Sequence, residues 1–310
     1  MDRGTPRHIC ALGDALLDVI VELSRLPVAD DDVPARITLT SGGQAANVAA
    51  WCVALGVRAS VVSRLSSDLA GLFVRSALSQ RHVEVLGPVD VGKTGTIASF
   101  ATPDGKRSMA SDRGLVAGFA TAELDPTWFA GCSWLHISGY SLFGDDDGGE
   151  MALSAASVVH AGGAKVSVDL SAATLVESIG RAEASRRVLA TGASIVFANE
   201  AELQAAGVLE VPTVVVKRGA AGCRVIERGI SRELPAIGGA VVRDTTGAGD
   251  AFAAGWIVGG PELALRAAYE CVGHEGAMPP VDESAGTQSR GLEATIRDVG
   301  SPNGSEKTGG

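Results

Sequence analysis

The chain has 310 residues, with 26 Lys and Arg against 36 Asp and Glu, a net charge of −10 at pH 7. This length holds one large domain or two ordinary ones, with enough buried surface to fold without disulfide or metal support. The acidic balance lacks the basic face that a nucleic-acid partner requires. Apolar residues at 46% and charged residues at 20% describe a globular chain, and no uncharged apolar run approaches the ~18 residues of a membrane span. Arg3 and Arg7 precede an apolar stretch, but Asp14 and Asp18 interrupt it, so it does not read as a signal-peptide core. The five cysteines are odd in number and form no CxxC, which suits reduced thiols in the cytoplasm. The five histidines show no zinc-ligand spacing.

In chain order, short apolar runs bounded by Gly predict strands at 8–12, 60–64, 134–138, 165–169, 195–198 and 214–217. Ala-rich periodic stretches between them predict helices at 45–55, 69–80, 150–161, 181–190 and 200–206. This alternation points to an α/β fold with a largely parallel sheet. Two strand pairs break it. Residues 19–23 and 36–40 flank the acidic turn Asp30-Asp31-Asp32, and residues 94–101 and 107–110 flank the hairpin signal Pro103-Asp104-Gly105. Together they predict a small β-sheet lid, with segments at about 18–40 and 94–111, beside the main sheet. A polar tail rich in Gly, Ser, Glu and Thr follows. The expected division is one domain over 1–287 and a disordered tail over 288–310.

One motif is a decoy. Gly87-Pro88-Val89-Asp90-Val91-Gly92-Lys93-Thr94 satisfies GxxxxGK[ST], yet Gly95, Thr96 and Ile97 follow it. A phosphate loop must open a helix, whereas this one leads into a predicted strand.

The richest stretch is Asp244-Thr245-Thr246-Gly247-Ala248-Gly249-Asp250, which runs into an Ala-rich apolar helix. Gly247 and Gly249 let the backbone approach a ligand closely. The first N–H groups of the helix lack internal partners and point at an anion. Asp250 reads either as acidic capping or as a base beside that anion. A second stretch, Gly42-Gly43-Gln44-Ala45-Ala46-Asn47, leads into the helix at 45–55. Asn is a poor helix-interior residue, so Asn47 has either a held side chain or a plain place in a loop-to-helix joint. The tryptophans read as packing.

Together these two stretches, in this order and separation, resemble the signatures of the PfkB/ribokinase family of sugar and nucleoside kinases. The likeness runs from about Ile9 to Pro280. It implies a ribokinase-like three-layer α/β/α core with a small β-sheet lid. By the same resemblance, Asp250 matches the catalytic base, and the amides of Gly247, Ala248 and Gly249 match the anion hole. Asp14, Asp18, Gly42, Gly43 and Asn47 match substrate contacts. Asn199 and Glu202 match an NxxE motif that organises Mg²⁺ through water. Lys217, Gly219 and Gly222 fall where the family has a TxGxxG-like nucleotide loop, with Lys in place of Thr. Asp244 and Thr246 match positions that bind a monovalent cation such as K⁺ in some members. The link from Gly255 to Gly276 is short beside the family's pattern by about two helical turns, and it falls where adenine packs.

The implied activity is ATP- and Mg²⁺-dependent phosphorylation of a hydroxymethyl group on a small sugar. A nucleoside kinase and a catalytically idle sugar-binding sensor are the alternatives. The expected partners are sugar and ATP, with no nucleic acid or membrane, and a second copy paired through the lid strands.

Overall fold

The structure is a computed structural model that describes residues 6–102, 107–144 and 146–281. The chain starts with β1 (His8–Leu12), then β2 (Leu16–Leu23), β3 (Ala35–Gly42), α1 (Gln44–Ala54), β4 (Arg58–Val62), β5 (Leu65–Ser66) and α2 (Leu69–Gln80). It continues through β6 (Glu84–Leu86), β7 (Val89–Asp90), β8 (Thr96–Ala101) and β9 (Arg107–Asp112). After short 3₁₀ turns come β10 (Trp134–Ser138), α3 (Gly139–Leu142), α4 (Asp146–Ala161), β11 (Lys165–Asp169), α5 (Ala173–Ile179), α6 (Arg181–Ala190), β12 (Ile195–Asn199), α7 (Glu200–Ala206) and β13 (Thr213–Lys217). The last elements are β14 (Cys223–Glu227), β15 (Ile230–Leu234), α8 (Ala248–Gly259) and α9 (Pro261–Cys271). Their packing closes within Met1–Pro279; of the remaining unit, Pro280–Gly310, only Pro280 and Val281 are described.

The main sheet has the order β15-β14-β13-β12-β11-β10-β1-β4-β6. It is parallel from β13 to β6 and antiparallel at the β14–β15 edge. Its central parallel strands, β4, β1, β10, β11, β12 and β13, are mostly buried because helices cover both faces. On one face Phe197, Val215, Ile9 and Val61 pack with α1, α2, α8 and α9. On the other, Leu135, Ile137, Val166, Val168 and Val196 pack with α3, α4, α6 and α7. The order reverses at β1, with β4 on one side and β10 on the other. Open α/β sheets bind ligands outside the strand ends at such a switch point. The second sheet, β3-β2-β8-β9, is the expected lid.

The strand expected at 60–64 lies at Arg58–Val62 instead. Ser63 and Arg64 leave the ladder because their side chains are recruited elsewhere. Ser63 Oγ accepts the Ala15 N–H, and Arg64 pairs with Asp90 and Glu123. The helix expected from 150 starts at Asp146. Gly149 looks like a breaker in sequence, but it makes room for the Arg187 guanidinium, which donates to the Leu142 carbonyl at 3.0 Å. The link expected to be short, from Gly255 to Gly276, contains the end of α8, the single residue Gly260 (φ +89°) and all of α9.

The turn Pro103-Asp104-Gly105, the boundary at 287 and the tail 288–310 lie outside the described residues. The GxxxxGK[ST] stretch opens no helix, and the element after it is β8. Thr94 is bound by Asp68, the N-cap of α2, through both its N–H (2.9 Å) and its hydroxyl (2.6 Å). Trp51, Trp134 and Trp256 are buried and Trp128 packs edge-on against Phe119, which is packing in each case.

Candidate active site

The carboxyl ends of the parallel strands carry Asp14 after β1, Ser138 on β10, Asp169 on β11, Asn199 on β12 and Lys217 on β13. Facing this row is the start of α8. Its N-cap, Gly247, is left-handed at φ +77°, and a Cβ there would stand 2.6 Å from Ala277, so only glycine fits. No side chain caps the helix. The Ala248 N–H reaches the Thr245 carbonyl at a long 3.3 Å. The Gly247 and Gly249 N–H groups have no acceptor among the described residues. Unfilled amides at the positive end of a helix dipole form an anion cradle. The helix behind them is held by Phe252 and Trp256 packing on Phe197.

Asp250 lies in the first turn of α8. Asn47 Nδ2 donates to its Oδ2 at 2.7 Å, and the Gln44 side chain also bonds to it. Withdrawal from water dominates and raises its pKa to about 7, against the opposing pull of Asn47 and Lys217. Asn47 is 6% exposed, and its Oδ1 is buried with no partner among the described residues. A carboxylate only accepts, so Nδ2 faces Asp250 and Oδ1 is left as the unpaired acceptor. Gln44 is oriented by the same logic, because its Oε1 accepts the Ser138 and Ser171 hydroxyls, each at 2.5 Å.

Lys217 shapes the other side. Its backbone enters the loop of Gly219 and Gly222, but its side chain leaves that loop. Its Nζ donates to Asp169 Oδ2 at 2.5 Å and lies 3.3 Å from where a Cβ on Gly249 would stand. Burial works against the ammonium, but the Asp169 and Glu202 carboxylates outweigh it and hold the Lys217 pKa above its ordinary value. The loop itself is tight: the Arg218 N–H bonds the Gly222 carbonyl at 2.8 Å, and a Cβ on Gly222 would strike the 234–236 backbone.

Asn199 and Glu202 form a capping box on α7. Asn199 Oδ1 accepts the Glu202 N–H and Glu202 Oε2 accepts the Asn199 N–H, both at 2.8 Å. Burial, then the nearby Asp169 charge, raises the Glu202 pKa. Asp244 Oδ1 and Oδ2 accept the N–H groups of Thr246 (2.8 Å) and Gly276 (3.0 Å), tying the approach to α8 onto the 272–279 loop.

On the lid side, Asp14 is 3% exposed and pairs with Arg113, whose guanidinium lies 3.8 Å above the Tyr140 ring. Burial raises the Asp14 pKa to about 6 despite Arg113, and raises that of Asp18 on β2 to about 6 as well. A Cβ on Gly42 would collide with the Asp18 carboxylate, and one on Gly43 (φ +99°) with the Asp14 carbonyl. These glycines therefore let the lid strand and α1 close on the two acids.

Thus Asp250, Asn47, Gly249 and Lys217 form one network, and Asp14, Asp18, Gly42 and Gly43 form another. Asn199 and Glu202 bond to each other, and Glu202 reaches the first network only through charge. Gln44, Ser138, Ser171 and Asp169 were not singled out from sequence. The available signal for Asp169 was an acid at the end of a parallel strand. For Gln44 it was a polar residue directly after two glycines.

The sequence matches the profile described as pfkB family carbohydrate kinase over residues 6–265. It is 29% identical over 291 residues to the ATP-dependent ribose-1-phosphate kinase of Halopiger xanaduensis, covering 87% of this chain and 93% of that protein. It is 27% identical over 271 residues to a fructokinase of Klebsiella pneumoniae, covering 81% and 83%. Among solved structures, the adenosine kinase of Sinorhizobium meliloti superposes with a TM-score of 0.78 at 23% identity, covering 94% of this chain and 99% of that one. An uncharacterized sugar kinase of Pyrococcus horikoshii in complex with ATP superposes at 0.74 and 23% identity, covering 89% and 96%. Both share the fold.

Proposed function

Because the chain belongs to the pfkB family of carbohydrate kinases, ATP-dependent enzymes that act on sugars and nucleosides, we propose that it transfers the γ-phosphoryl group of ATP to a hydroxymethyl group of a small sugar or sugar derivative. The observation that carries this reading is the Asp250 carboxylate, aligned by Asn47 Nδ2 at 2.7 Å beside the unfilled amides of α8. Asp250 takes the proton of the acceptor hydroxyl, and the oxygen attacks the γ-phosphorus in line as the bond to ADP breaks. The amides of Gly247, Ala248 and Gly249 take up charge on the phosphoryl oxygens. Asp14, Asp18 and the orphan Asn47 Oδ1 bind sugar hydroxyls, with Gly42 and Gly43 giving them room. Gly219 and Gly222 shape the nucleotide side.

Mg²⁺, when bound, neutralises the β- and γ-phosphate oxygens. Asn199 and Glu202 fit this ion through water: each Glu202 oxygen accepts one hydrogen bond and keeps further lone-pair capacity. Asp244 and Thr246, joined where the chain approaches α8, are the residues that would hold a monovalent cation such as K⁺. Five free thiols suit a reducing cytoplasm. The lid carries exposed Ile37 and Leu39 on its edge strand β3, which supports pairing with a second copy.

A sugar is favoured over a nucleoside because Tyr140, the ring joined to Asp14 through Arg113, already has a face covered by that guanidinium. The deciding experiment is an ATP-consumption screen over sugars, phosphorylated sugars and nucleosides, with Asp250→Asn as control. Turnover with a sugar that falls by ~10²–10⁴ in the variant supports the mechanism. A folded variant with most of its turnover removes Asp250 from it. Sugar binding without ADP release would leave the idle-sensor alternative standing.

A further inference from the structure

Lys217 occupies the position of a nucleotide-loop residue, yet its side chain crosses above β12 to the carboxyl end of β11. Asp169 pairs with Phe197 in register, and Phe197 with Val215, so all three face the α1–α8 side of the sheet. Lys217 lies two residues beyond Val215 and shares that face. Asp169 is 1% exposed with both oxygens engaged: Oδ1 accepts the Ser171 N–H at 3.0 Å and Oδ2 accepts Lys217 Nζ at 2.5 Å. Ser171, held at φ +68° in the left-handed region, presents that N–H while its hydroxyl bonds Gln44. The carboxylate therefore cannot swing away from the ammonium. Of the three donors on Nζ, one goes to Asp169, and no other hydrogen bond engages Nζ among the described residues. These remaining donors lie beside Gly249, whose own N–H is unfilled. A fixed cation with open donors, next to open amides and the Asp250 carboxylate, marks the point where negative charge is to be received.

We propose that Lys217 is the cation that meets the phosphoryl group in flight, and that Asp169 is a positioning residue that holds its ammonium over the amide end of α8. This rests on the kinase reading above. Lys217 donates to an oxygen of the γ-phosphoryl group, alongside the α8 amides. Asp169 touches no reactant: it opposes the burial cost of the ammonium and fixes where its donors point.

The test compares Lys217→Met, Asp169→Asn and the double variant in the full chain. Removing one partner leaves the other charge buried and unpaired, so the double variant, which removes both at nearly constant volume, is the folding control. The first readout is binding of the β,γ-imido analogue of ATP relative to ADP, by calorimetry with Mg²⁺. Losing the ammonium should weaken the imido analogue at least ~10-fold more than ADP, in Lys217→Met and in the double variant alike. The second readout is turnover with the sugar found in the screen. Lys217→Met should lower kcat by ~10²-fold with little change in the sugar KM. Asp169→Asn should lower kcat when Lys217 is present and add nothing in the Lys217→Met background. An unchanged ratio of imido analogue to ADP binding in the double variant overturns the Lys217 assignment. An equal loss from Asp169→Asn in both backgrounds overturns the positioning role. A wild-type chain that turns over no sugar or nucleoside defeats the kinase reading instead, and the binding ratio still decides this one.

Discussion

At the scale of single residues, the site depends on a carboxylate kept out of water. The Asp250 pKa is raised to about 7 from an ordinary 3.8, so a base at this position is half protonated near neutrality. We expect kcat/KM to climb with pH and level off above about 7, with a single-proton slope. A flat profile between pH 5.5 and 8 would count against Asp250 as the base. The same shift bears on stability. A carboxyl whose folded pKa is raised binds its proton more tightly when folded, so its contribution is fully present below 3.8 and is lost as pH rises through about 7. Asp250→Asn removes that cost. At pH 8 the variant should melt higher than wild type, by ~2 °C or more, while at pH 4 the difference should vanish. Calorimetric scans at both pH values check this, and a variant that melts lower at pH 8 would refute the burial account.

At the scale of elements, the two glycines at the start of α8 differ in what they tolerate. Gly247 is left-handed and abuts Ala277, whereas Gly249 meets only the end of the flexible Lys217 side chain. Gly247→Ala should therefore cost at least ~1–2 kcal/mol of stability, visible as a lower Tm. Gly249→Ala should keep its Tm and lose turnover, because the ammonium must yield by a few tenths of an ångström. Equal Tm losses in both variants would show that the two positions are alike. The α7 capping box separates structure from ion handling in the same way. Glu202→Gln retains a capping acceptor, so its Tm should stay near that of wild type while the Mg²⁺ needed for half-maximal rate rises. Glu202→Ala should also lose ~0.5–2 kcal/mol. If Glu202→Gln leaves the Mg²⁺ requirement unchanged, Glu202 is a cap and nothing more.

At the scale of the whole molecule, the lid and the main sheet meet through Arg113 and Asp14. The Asp14 pKa is raised by burial to about 6 even with Arg113 lowering it. Arg113→Ala should push it higher, leave more of the acid protonated at pH 7, and weaken sugar binding there by ~5-fold or more. Binding should recover toward pH 9, where the acid is ionised again. Titrations at the two pH values check this, and an affinity equally weakened at both would mean that Arg113 acts through lid packing rather than through the charge of Asp14.

Much of this was legible in the chain itself. The strand at His8–Leu12 and the helix at Leu69–Gln80 follow from local pattern, because apolar runs bounded by Gly and a 3.6-residue period are local signals. So was the start of α8, since only glycine serves a left-handed cap against a neighbouring backbone. The sequence alone determined the α/β class, the lid pairs and the glycine and acid stretches that make up the candidate site. Tertiary structure decided what long-range contact decides: that Gly149 makes room for Arg187 rather than ending a helix, that Gln44 is oriented by Ser138 at the end of β10 and Ser171 in the loop after β11, and that Lys217 leaves its loop for Asp169. A side chain's direction depends on partners 48 to 127 residues away in the chain. No local period encodes such partners; they exist only once the strands stand side by side.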